Sequence, residues 1–133
     1  MKTKLLIDNG DVRQALQSFL ASLLTSGAVD MLYLPMRTPS GTVTPALVSD
    51  PAMLVHADIL APVMGINSAA QAGRLSLREP RPKVGVVLRS CELRALVELV
   101  KLQQASMTDL VTISVDCAGT YAVAEFQEKS AGN

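Results

Sequence analysis

Two residues in this 133-residue chain have the chemistry and the spacing to act together: Cys91, in "RSCELRALVELVKLQ", and Cys117, in "SVDCAGTY". Each stands just past an apolar run, Cys91 after "KVGVVLR" (Lys83 to Arg89) and Cys117 after "LVTISVD" (Leu110 to Asp116). If the two runs are strands joined by a crossover helix, they lie parallel and their carboxyl ends share one edge of the sheet. Neighbouring strands are about 5 Å apart. Thiols 26 positions apart in sequence then reach one volume, at the edge where open α/β sheets take ligands. Cys91 also falls in the first turn of its helix, where unpaired backbone amides and the helix dipole attract an anion. Packing is the commoner reason for a lone cysteine. No Cys-x-x-Cys pair occurs, and His56, the one histidine, reads as exposed or capping rather than as a ligand. A soft-metal site takes four donors, so two cysteines supply at most half of one.

The elements that must position these residues are legible from periodicity. Asp11 caps a helix in which Val12, Ala15, Leu16, Phe19, Leu20 and Leu23 recur every three or four residues until Gly27. "AVDMLYLPM" reads as a strand ending near Pro35 and "GTVTPALVS" as its hairpin partner, pushed to a sheet edge by Pro45. "PAMLVHADILAPV" has no clean period, Asn67 to Leu75 is expected to form a short helix, and "REPRP" is the best linker. Beyond it, Lys83 to Arg89 has the continuous apolar character of a strand covered on both faces, with Gly85 admitting a close neighbour. Ser90 is the expected cap of the next helix, whose two apolar faces leave Arg94, Glu98 and Lys101 as a narrow polar stripe. Leu110 to Asp116 alternates as a strand, and a last helix follows Gly119-Thr120 through about Glu128.

The expected fold is therefore α/β, a largely parallel or mixed sheet with helices on its faces. It is read as one domain over 1–133, with a helix-plus-hairpin part over 10–80 and a strand-helix-strand-helix unit over 83–129 that carries both cysteines. Composition narrows the function. Twelve basic and twelve acidic residues cancel, and Phe19, Tyr33, Tyr121 and Phe126 are too scattered for a stacking platform, which argues against nucleic acid. "MKTKLLIDNG" has an apolar stretch of only three residues before Asp8, far shorter than the core of a secretory signal, and His56, Asp58 and Pro62 interrupt the longest apolar region. A cytoplasmic protein that does not span the membrane is expected.

"RSCELRALVELVKLQ" followed by "VTISVDCAGTY" resembles the beta subunit of deazaflavin-coenzyme-reducing hydrogenases and related formate dehydrogenases, a family of iron–sulfur flavoproteins. "GDVRQALQSFLASLLTSGAVDMLYLP" and "VTPALVSDPAML" resemble its opening helix and strands, so the likeness runs from about Gly10 to Glu128 and is most specific in 89–104 and 116–121. The resemblance implies that Cys91 and Cys117 are ligands of a four-iron four-sulfur cluster, with the remaining ligands outside this chain. The family's proline before the first cysteine is Ser90 here. The resemblance also implies FAD, near a glycine-rich turn that reads Asn9-Gly10-Asp11-Val12-Arg13 and near "APVMGINSA". Arg13, Pro62, Asn67, Ser68 and Arg89 are the candidate flavin-binding residues, although Asp11 would repel a phosphate. Arg94 reads as a solvated surface residue, and Asp116 either orients the Cys117 loop or ends a strand.

The function implied is that of an electron-transfer module passing electrons between a partner's clusters and a flavin. Its partners would be other redox subunits of a hydrogenase, formate dehydrogenase or heterodisulfide-reductase-like complex, and a soluble hydride carrier. With the later cysteines of longer members missing, the chain reads as an incomplete or minimal version of the family fold, and homo-oligomers are expected from its uncovered edges. The alternative is a non-catalytic α/β interaction domain that has lost its cofactors. A thiol enzyme with Cys91 as nucleophile would need His56 as its base from outside the motif.

Overall fold

The computed structural model describes residues 10–61, 63, 67–77, 83–108, 110–116 and 123–131. Helix α1 (Val12–Thr25) begins as its sequence dictates: the Asp11 carboxylate accepts the Gln14 N–H at 3.0 Å. It ends where Gly27, at φ +77, turns the chain in the left-handed region. Strand β1 (Met31–Arg37) then pairs antiparallel with β2 (Val43–Val48). A 3₁₀ turn over Pro51–His56, capped by the Asp50 carboxylate on the Ala52 N–H, fills the stretch that showed no period. Helix α2 (Ala69–Ser76), β3 (Val84–Arg89), α3 (Ser90–Lys101), β4 (Leu110–Val115) and α4 (Val123–Ala131) complete the order.

The four strands form one mixed sheet in the order β2-β1-β3-β4. β1 and β3 are parallel over Met31–Tyr33 and Val84–Val86, and β3 and β4 are parallel from Val84↔Leu110 to Arg89↔Val115. β2 is an edge, as Pro45 requires. β1 does not end near Pro35 as its sequence suggested. Pro35 faces Pro45 across the hairpin, three pairs from the hydrogen-bonded Thr38 and Thr42, so their pair is of the non-hydrogen-bonded kind and neither missing N–H costs a ladder bond. On its other side β1 has already parted from β3, and the Pro35 carbonyl accepts the Asp58 N–H at 3.1 Å.

Both faces of the sheet are covered, which explains why all six residues of β3 are buried. On one face Leu32, Leu34, Met36, Val48 and Val87 pack against Leu20 of α1 and Leu54 of the 3₁₀ turn. On the other, Tyr33, Val84, Val86 and Leu88 pack against Ala69 and Ala72 of α2 and Leu96 of α3. Gly85 sits where a β-carbon would lie 2.7 Å from a Leu32 methyl and 3.4 Å from Val29, so the close neighbour is β1. No helix among the described residues is long and apolar enough to cross a membrane.

Candidate functional site at the carboxyl edge of the sheet

The edge that the cysteine positions define is built by β3 and β4. The two strands are hydrogen-bonded neighbours and end level, Arg89 opposite Val115. Cys91 stands two residues past the first end, in the opening turn of α3, with its thiol free and exposed to solvent. Cys117 is the second residue past the other end; it lies outside the described residues, as does Pro62. Asp116 is exposed at the end of β4, and Arg94 is exposed on α3. His56 is exposed at the end of the 3₁₀ turn, on the far side of the sheet from α3.

Behind Cys91 lies a buried polar network. Ser90 is not the cap of α3; Arg89 is, and Glu92 at the third helical position reaches back to it. One Glu92 carboxylate oxygen accepts the Arg89 N–H at 3.1 Å, the other the Ser68 N–H at 2.5 Å. Ser68 caps α2, so one carboxylate joins the amino ends of two helices, where both dipoles favour negative charge. Glu92 is 4% exposed, and no buried side-chain polar atom among the described residues lacks a partner. The Tyr33 phenol of β1 lies beside this network, close enough to feel both Ser68 and Glu92. Burial pushes the Tyr33 phenol above its ordinary value of 10; the Ser68 side chain pulls it back, and the Glu92 charge raises it further.

The candidate flavin residues are dispersed. Arg89 is buried and its guanidinium donates to the carbonyls of Ala61 and of Val63, the latter at 2.9 Å, stitching that segment across the end of β3. Asn67 accepts the Ala69 N–H at 3.0 Å, an Asx turn opening α2, and the Ser68 N–H serves Glu92. Arg13 lies on the opposite face, donating to the Ala57 carbonyl at 3.3 Å beside a cleft of about 20 Å³, barely room for one water. A groove of about 660 Å³ between the hairpin and the 3₁₀ turn is lined by none of them. The structure thus joins Ser68 to Arg89 through Glu92 and leaves Arg13 apart. The described ones do not form a flavin cradle.

For an iron–sulfur cluster the donor set is half complete at best. Cys91 is an accessible thiol in a suitable place, and among the described residues no group of three or more His, Cys, Asp or Glu could hold a metal ion. Sequence reasoning passed over Glu92, whose signal was an acidic residue three positions after Arg89, masked by assigning the cap to Ser90. It also passed over Asp58, whose Oδ2 accepts Arg37 Nε at 3.1 Å and Nη2 at 2.5 Å, a pairing across 21 residues with no local signature. The chain matches no protein-family model and no curated protein.

Proposed function

We propose that the chain is an electron-transfer module of an iron–sulfur flavoprotein oxidoreductase of the hydrogenase and formate dehydrogenase beta-subunit type, with Cys91 and Cys117 as two of the cluster's four ligands. The observation that carries this reading is the level, parallel pairing of β3 with β4, which sets the two cysteine positions equally far past adjacent strand ends. The resemblance of residues 89–104 and 116–121 to the family signature supports it. When bound, such a cluster supplies one-electron transfer, and the protein's contribution is position and potential. Here Cys91 would present its sulfur from a helix start anchored by Glu92, and the remaining two donors would come from a partner redox subunit or from sequence outside this chain.

The test is anaerobic reconstitution of the chain with iron and sulfide, quantifying bound iron and acid-labile sulfide for the unaltered protein, Cys91→Ser and Cys117→Ser. Stoichiometric cluster that disappears in both variants is the expected result. Absence of iron in the unaltered protein would favour the second reading, a non-catalytic interaction domain. One observation favours that second reading: Arg89 and Ser68 are candidate cofactor residues, yet the Arg89 guanidinium and the Ser68 N–H are engaged inside the fold.

A further inference from the structure

The two edges of the sheet are not alike. At β2 the Pro35 and Pro45 pair is non-hydrogen-bonded, so the Pro45 nitrogen, which carries no proton, faces outward and blocks an incoming strand. At β4 no proline or charged residue stands between Leu110 and Val115. Strand parity shows which backbone groups are open there. The Met31 N–H donates to the Lys83 carbonyl at 3.4 Å, so odd-numbered residues of β3 turn their backbone groups to β1 and even-numbered ones turn theirs to β4. In the register Val84↔Leu110 those even-numbered groups bond the odd-numbered groups of β4. The N–H and C=O of Thr112 and Ser114 therefore point off the sheet, where no strand follows β4 among the described residues. The Leu110 N–H is already taken by the Met107 carbonyl, at 3.4 Å.

Open main-chain donors and acceptors in a row are completed by another strand, and the side chains say which. Val111, Ile113 and Val115 alternate onto the sheet face that carries α1, where Val111 is 40% exposed. On the other face Leu93, Val97 and Val100 form a flank of α3 turned away from Leu99, which lies against Gly73 of α2, and Val97 is 37% exposed. A two-fold axis through Ile113, normal to the sheet, sets Ile113 against itself, Val111 against Val115 and Thr112 against Ser114. Apolar then meets apolar on one face and hydroxyl meets hydroxyl on the other. Asp116 comes opposite Leu110 at the two far ends, so the carboxylates do not meet. A strand that is its own complement specifies this chain as the partner. We infer that β4 is the docking edge for a second copy of this chain, the two strands pairing antiparallel in this register to make one continuous sheet. Each Thr112 and Ser114 pair exchanges both of its N–H···O bonds. The antiparallel arrangement sends the two Cys91 edges to opposite ends of the dimer. The second copy therefore supplies no donor there, and the inference is independent of the cluster reading.

Sedimentation velocity of the full chain over roughly 1–300 µM is expected to show a reversible monomer–dimer equilibrium. Hydrogen exchange adds the register: the Thr112 and Ser114 amides slow as concentration rises, while those of Val111 and Ile113, already bonded to β3, are protected throughout. Ser114→Pro removes one outward N–H and leaves the bonds between β4 and β3 intact. Its circular dichroism is expected to match the unaltered protein while dimerisation weakens at least about tenfold, because symmetry removes two interface bonds at once. Val111→Lys, at an exposed position, is expected to weaken the dimer without unfolding the monomer. A chain that stays monomeric at the highest concentration, a dimer whose affinity survives both substitutions, or concentration-dependent protection at the odd-numbered amides in place of the even-numbered ones would each overturn the assignment.

Discussion

Replacing Glu92 by alanine is the most informative perturbation of the fold, because two backbone donors depend on one side chain. In Glu92→Ala the N–H groups of Ser68 and Arg89, both in buried residues, lose their acceptor. Each orphaned buried donor costs about 1–3 kcal/mol, so the loss is roughly 2–6 kcal/mol. That is a large fraction of the roughly 5–15 kcal/mol that holds a domain of this size together. Glu92→Gln keeps the volume and one carbonyl oxygen but turns an NH2 toward the other donor, so about half the loss, roughly 1–3 kcal/mol, is expected. Urea unfolding followed by circular dichroism measures both, with the midpoint falling at an unchanged slope. Hydrogen exchange adds a local readout: the Ser68 and Arg89 amides exchange slowly in the unaltered protein and fast in Glu92→Ala. The reasoning is refuted if Glu92→Ala costs less than about 1 kcal/mol while both amides stay protected.

Gly85→Ala should destabilise. Removing glycine's freedom in the unfolded chain gains about 0.4–1 kcal/mol, but a β-carbon 2.7 Å from the fully buried Leu32 forces repacking that costs about 1–3 kcal/mol, a net loss that thermal unfolding would register. Tyr33→Phe should flatten the alkaline limb of stability. Because the folded phenol is raised above 10, the stability it contributes is complete below that pH and is lost as pH rises through the folded value, so only the unaltered protein should show this loss in unfolding curves taken above pH 10.

The sequence by itself determined the elements and their class. The three- and four-residue repeat from Val12 to Leu23, the Asp11 cap and Gly27, the unbroken apolar run before Arg89, and Pro45 at an edge are local signals, set by backbone sterics and by which faces must leave water. They sufficed for a mixed sheet with helices on both faces and for placing Cys91 at a strand end. The tertiary structure decided what stands around that edge. Pro35 stays inside a strand because the chain at Asp58 satisfies its carbonyl, and the boundary of α3 moves to Arg89 because Glu92 finds Ser68, 24 residues earlier, as well as its own cap. Arg89 and Ser68 looked like cofactor residues by type and became internal partners by position. Arg37 and Asp58 met across a bend with no pattern in the sequence. Periodicity reports which way a side chain faces; which partner waits there depends on how separate elements pack, and that is fixed only when the whole chain has folded.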